Sequence, residues 1–142
     1  SLPSVLGSLP FAEHGFADLG NRMPNHLTLI NILKANNYHT RFLSGFDLDF
    51  DNEGLFLAKN KINETVSIRN FGEAYQQMPA NSGGFTWGYG DMDLMLKSVD
   101  YLNKAPEKPG LTIIQTVSLH TPYQVINQSK YLEKFEQQLG IL

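Results

Sequence analysis

The chain has no cysteine among its 142 residues, and this removes three chemistries at once: a disulfide framework, a thiolate nucleophile and a cysteine-ligated zinc. Positive charge is sparse too. Eleven Lys and Arg against fourteen Asp and Glu give a formal net charge of -3, with no cationic helix face, so nucleic acid is not expected as a partner. No apolar run approaches the roughly 20 residues that span a bilayer. The start, Ser1-Leu2-Pro3, has no initiator Met, charged n-region or h-region, so the chain is expected to be an internal piece of a longer protein. Signature motifs are missing as well: no G-x-S-x-G elbow, P-loop, G-x-G-x-x-G or H-E-x-x-H. The histidines at 14, 26, 39 and 120 never stand at metal-ligand spacing with one another.

What is present is a hydrophobic fraction of 42%, enough for one globular domain with a core. Ser1 to Pro10 is expected to form a short helical turn, and the glycine-bearing stretch Phe11 to Met23 a surface loop. Asn25 is the expected N-cap of a helix that buries Leu27, Leu29, Ile30, Ile32 and Leu33 and stops at Asn36-Asn37. Tyr38 to Leu43 is aromatic and β-branched, a strand that Ser44-Gly45 ends. An amphipathic helix starting near Asp49 or Asp51, a short strand at Val66 to Ile68 and a loop or helical turn to Gln77 follow. Pro79 to Gly84 is flexible punctuation. Asp91 to Asn103 has helical periodicity, with Met92, Met95, Leu96, Val99 and Leu102 on one side. The run from Leu111, bounded by Pro109-Gly110, predicts a strand buried on both faces of a parallel sheet, and Lys130 to Leu139 an amphipathic helix. Helix and strand alternating with short turns give an α/β fold: a parallel or mixed sheet with helices on both faces. Only two strands stand out, few for a self-contained sheet of this kind.

Three stretches carry candidate chemistry. The strand from Leu111 runs out through Thr116-Val117-Ser118-Leu119-His120-Thr121-Pro122-Tyr123, placing an imidazole at its carboxyl end, where open α/β sheets hold ligands. There it can donate to an anion or hold a leaving oxygen; the plainer account is an incidental loop histidine. Phe46 to Gly54 imitates a calcium loop, but phenylalanines and a leucine interrupt it and the twelfth position from Asp49 is Asn60 rather than a glutamate. Helix-capping acids on a solvated loop explain it better. Trp87-Gly88-Tyr89-Gly90-Asp91-Met92-Asp93 combines an aromatic, two glycines and two acids at a helix start, which an anchor, a turn and an N-cap account for.

In this order, three segments resemble the sulfatase branch of the alkaline phosphatase superfamily, nearest its lipoteichoic acid synthase-like and phosphoglycerol or phosphoethanolamine transferases. They are Leu33 to Phe42 (LKANNYHTRF) with Gly45, Phe50 and Asn52; Trp87 to Asp93 (WGYGDMD); and Thr116 to Tyr123 (TVSLHTPY). Ser1 to Pro10 is similar to the family segment just after the nucleophile. The resemblance implies that the whole chain, 1–142, is the central part of a larger alkaline phosphatase-like catalytic domain. It also implies metal-dependent hydrolysis or transfer of sulfate or phosphate esters, with phosphoglycerol transfer to a cell-envelope glycan or lipid among the possibilities. A threonine, or a modified Cys or Ser in true sulfatases, would attack while bound to a divalent metal (Mn, Mg, Ca or Zn).

By the same resemblance the nucleophile would precede Ser1 and a metal-binding Asp-His pair would follow Leu142, so the piece alone would bind no metal and be inert. His120 matches the histidine that contacts the transferred anion. Asn52 matches a substrate-binding asparagine, and Trp87 and Asp91 match a W-G-x-x-D segment at the site rim, where a mainly architectural role is expected. Ser44, Asp51 and Glu53 depart from the synthase pattern, where histidine, tryptophan and arginine are common, and acids there disfavour a glycerol-phosphate group. The parent would be extracytoplasmic and membrane-anchored. The contrasting expectation, from the residues alone, is a self-contained non-enzymatic α/β binding or interaction domain. Neither reading fixes an oligomeric state.

Overall fold

A computed structural model describes residues 1–9, 17–104 and 106–140. Three strands form a parallel sheet in the order β2-β1-β3: β1 is His39–Ser44, β2 Glu64–Val66 and β3 Gly110–Gln115. Among the described residues five α-helices accompany them: α1 Leu2–Gly7, α2 Leu29–Ala35, α3 Glu53–Lys59, α4 Asp91–Asn103 and α5 Gln128–Leu139. Side chains alternate across a strand, and the alternation at Phe42-Leu43 of the central strand divides the core. On one face Phe42 and Ile113 pack with Leu2 and Leu6 of α1, Ile30 of α2 and Phe56 and Leu57 of α3. On the other, Leu43, Val66 and Ile114 pack with Leu94 and Tyr101 of α4. This is the α/β arrangement with helices on both faces that the sequence pattern gives. Among the described residues no helix is long and apolar enough to cross a membrane.

Arg41 is buried in the central strand, where a lone charge would be costly. Its guanidinium is satisfied instead: Nε donates to Glu64 Oε2 at 2.7 Å and Nη1 to the Tyr101 carbonyl at 2.7 Å. One side chain thereby ties β1 to β2 and to the end of α4.

Several expectations are corrected. Helix α2 is capped by Thr28, not Asn25, because the Thr28 hydroxyl accepts from Asn31 N while Asn31 Oδ1 accepts from Thr28 N, a reciprocal pair that fixes the start three residues later. Only Ile30 of the five apolar residues is buried; Leu27, outside the helix, is 71% exposed. The first strand matches its expectation within a residue, and the positive φ of Asn37 marks the stop before it. Helix α3 begins at Glu53, after a 3-10 turn at Phe50–Asn52, because Asp51 and Asn52 both take the left-handed conformation. Strand β2 ends at Val66, and Ile68–Asn70 is a 3-10 turn.

Strand β3 is half-buried rather than buried, since among the described residues it lies at the border of the three strands with β1 on one side only. In α4 the buried line is Leu94 and Ser98, and the apolar side expected from periodicity faces outward, with Met92 73% exposed. Helix α5 extends the expected range by two residues at its start. The loop expected at Phe11 to Met23 lies partly outside the described residues; Ala17–Arg22 forms 3-10 turns kinked at Gly20, and Met23 is buried.

Candidate functional site

Parallel strands end together, so the exits of β1 and β3 lie side by side, with Ser44 paired in register to Gln115. Chain leaving that edge builds the site. Behind it Phe46, Met78 and Val117 form a small core against which Trp87 and Ile126 pack. Gly45 is needed there because a Cβ would overlap the Tyr89 carbonyl, while the Gly45 carbonyl accepts from Tyr89 N at 2.9 Å. Backbone thus touches backbone, and the Trp87 segment is pressed onto the end of β1.

Asp91 fixes the other strand's exit. Its Oδ1 accepts from Val117 N at 2.9 Å and Ser118 N at 3.1 Å, and its own N–H donates to Ser118 Oγ at 3.3 Å. It is therefore the first residue of α4, with Gly90 in the N-cap position, and its carboxylate is spent on holding two amides. The chain then turns, with His120 N donating to the Val117 carbonyl at 2.8 Å and a cis Thr121–Pro122 peptide after it.

The Thr121 carbonyl accepts from Trp87 Nε1 at 2.8 Å and from His120 Nδ1 at 3.1 Å. A carbonyl oxygen can only accept, so Nδ1 carries a proton and Nε2 is the nitrogen left for a ligand. The two rings pack 4.6 Å apart at 71°, Phe50 lies 4.9 Å from the indole and 6.4 Å from the imidazole, and Phe85 closes on the indole at 5.0 Å. These are edge-to-face contacts of the favourable kind. The imidazole itself is exposed.

Of the residues expected at the site, His120, Trp87 and Asp91 are brought into one unit. Asn52 is half-buried at the start of α3, two residues after Phe50. Asp47 and Asp49 do behave as solvated acids, both facing Arg69 at 3.4 and 3.3 Å, and Asp47 Oδ1 accepting from Asp49 N holds its carboxyl below its usual value. Glu53 does not. It is 6% exposed, and Gln115 Nε2 donates to its Oε1 at 2.9 Å. Burial raises its pKa, the Gln115 bond opposes that and Asp51 adds to it.

The Glu53–Gln115 pair and the ring of phenylalanines at positions 46, 50 and 85 are absent from the set picked out by sequence. The signal for Glu53 was its departure from the family arginine; of the phenylalanines, Phe50 is among the residues that carry the resemblance, and Phe46 and Phe85 had no signal toward the site. Ser44, another departure, is fully buried with its hydroxyl donating to the Phe46 carbonyl at 3.3 Å. A groove of about 660 Å³ borders the unit from behind, lined by Gly90, Asp91, Met92, Ser118, Ile126 and Tyr131 among others.

This architecture is shared with known proteins. Residues 1–140 match the sulfatase family model. A protein in the alkaline phosphatase superfamily from Vibrio parahaemolyticus is 25% identical, with a TM-score of 0.71 over 87% of this chain and 29% of its own length. The lipoteichoic acid synthase LtaP from Listeria monocytogenes, 21% identical, shares the fold at a TM-score of 0.67 over 89% of this chain and 29% of its own. The chain thus spans less than a third of each solved structure. With a match running from its first residue nearly to its last, it belongs to the sulfatase family and has the alkaline phosphatase-like fold.

Proposed function

We propose that residues 1–142 are the central part of a larger catalytic domain that hydrolyses or transfers sulfate or phosphate esters, and that His120 contacts the transferred anion. Family membership supports the chemistry, and the fixed proton on His120 Nδ1 supports the contact. With Nδ1–H held by the Thr121 carbonyl, a protonated Nε2 donates to an anionic oxygen and a neutral one accepts a proton from a hydroxyl. Asn52, at the start of α3, is proposed as a second substrate contact. Trp87 and Asp91 act as positioning residues, one clamping the imidazole and the other fixing the strand exit it hangs from. The family uses a divalent metal, but no group of three His, Cys, Asp or Glu suited to a cation comes together among the described residues. In this reading the metal ligands and the nucleophile belong to the rest of the catalytic domain, and the 142 residues alone turn over no ester. The setting proposed for the whole protein is extracytoplasmic and membrane-anchored, with phosphoglycerol transfer as one form of the reaction.

The test is His120→Ala in the full-length protein, assayed on an aryl sulfate and an aryl phosphate with manganese present. Turnover more than tenfold lower with an unchanged melting temperature is the expected result. Wild-type turnover would return His120 to a structural role.

A further inference from the structure

The opposite end of the sheet holds a cluster of charged side chains that the proposed reaction does not use. His39 and Arg41 stand two apart on β1 and so share a face, and Glu64 of β2 is paired in register with Arg41. Together with Lys104 at the end of α4 and Lys108 in the turn before β3, they line a cavity of about 430 Å³. Arg41 is only 3% exposed, yet its guanidinium is not used up. Nε donates to Glu64 and Nη1 to the Tyr101 carbonyl, while Nη2 has no hydrogen-bond partner among the described residues. A charged side chain held so deeply, with a donor left open at a cavity, favours an acceptor there. Water can meet that need, but the surrounding charge selects something more.

Three permanent cations, Arg41, Lys104 and Lys108, stand against one carboxylate, Glu64, a local charge of +2 in a chain whose net charge is -3. Two features oppose an anion. Glu64 Oε2 takes Arg41 Nε at 2.7 Å and lies 3.5 Å from His39 Nε2, and the carbonyl end of α4 carries partial negative charge, which Arg41 Nη1 meets in part. Both are engaged by Arg41, whereas neither lysine has an ion-pair partner among the described residues. We infer that this cavity is a second anion site, for a doubly charged phosphate or sulfate group. An excess of two positive charges matches a dianion better than a carboxylate, and a guanidinium N–H with two ammonium groups is a donor set that such oxyanions take. The site is separate from the one that holds His120: β1 has six residues, which at about 3.3 Å each puts the cavity roughly 17 Å from the strand exits. The inference therefore stands apart from the reading of the protein as an ester-processing enzyme.

The experiment uses the full-length protein at low ionic strength, with the backbone amides of residues 39, 104 and 108 followed by NMR as inorganic phosphate, inorganic sulfate or acetate is added. The signals of His120 report the other site separately. Phosphate and sulfate are expected to saturate the signals of residues 39, 104 and 108 at least tenfold more tightly than acetate. Lys104→Gln combined with Lys108→Gln should weaken phosphate binding there at least tenfold. Glu64→Gln, which keeps an oxygen for Arg41 Nε and removes the opposing charge, should tighten it. Vesicles of phosphatidylcholine carrying phosphatidic acid identify the source: the same shifts at a lower phosphate concentration assign a lipid headgroup, and saturation by inorganic phosphate with no response to vesicles assigns a soluble ligand. Phosphate shifts at His120 alone, equal affinity for acetate and phosphate, an unaltered affinity in the double lysine variant, or weaker binding by Glu64→Gln at an unchanged melting temperature would each overturn the site.

Discussion

Trp87 and His120 donate to the same oxygen, the carbonyl of Thr121, from 2.8 and 3.1 Å. One backbone atom therefore sets the orientation of both rings, and the indole wall in turn limits where the imidazole can swing. An exposed histidine in a loop ordinarily samples several rotamers. This one is held by a hydrogen bond on one side and an aromatic face on the other.

Trp87→Phe removes the indole donor but keeps an aromatic wall, and Trp87→Ala removes both. The His120 ring protons, shifted by the indole, should move toward free-histidine positions in the alanine variant and only partly in the phenylalanine one. In the full-length enzyme turnover should fall about tenfold for Trp87→Ala, less for Trp87→Phe, in kcat rather than KM, as expected when a contacting residue loses its orientation. Unchanged His120 shifts in Trp87→Ala would show that the Thr121 carbonyl suffices.

Asp91 is a buried-amide acceptor before it is anything else. Asp91→Ala leaves the Val117 and Ser118 amides without their acceptor, a loss of about 2–3 kcal/mol if neither finds another partner. Asp91→Asn keeps an oxygen in place and should lose less than half as much. Urea midpoints at constant slope measure both. Because the same bonds fix the strand exit carrying His120, turnover should follow stability in this series, and a stable Asp91→Ala enzyme with normal activity would refute the positioning role.

What could be read in the sequence divides along a physical line. Strand β1, the helix stop at Asn37 and helices α4 and α5 were legible because they rest on local signals, periodicity and capping chemistry. The same signals misplaced burial. Periodicity marks the apolar side of α4, yet the sheet packs against Leu94 and Ser98, since the packing partner, not the helix, decides which side is covered. Burial of β3 was overestimated because an apolar run does not say whether both neighbours are present. At the candidate site, His120, Trp87 and Asp91 were named from sequence, but their connection through one carbonyl and two amides is a product of the turn geometry. Glu53 was seen as a charge on a solvated loop, and only its neighbour 62 residues away, Gln115, makes it a buried one.

That burial has a pH signature. The folded-state pKa of Glu53 is raised above the ordinary 4.5, chiefly by desolvation, so between 4.5 and the raised value the folded chain binds more protons than the unfolded one and stability falls as pH rises. The contribution is fully present below the unfolded pKa and gone once pH has passed the folded one. Glu53→Gln has no proton to exchange, and its new amide can donate toward Gln115 Oε1, which is buried without a partner. The variant should match wild type near pH 4 and exceed it by about 1 kcal/mol, the scale of a satisfied buried hydrogen bond, at pH 8. Melting temperatures across that range decide it. A gap of equal size at both ends of the range would mean that the carboxyl titrates alike in the folded and unfolded chain, and that Glu53 is solvated after all.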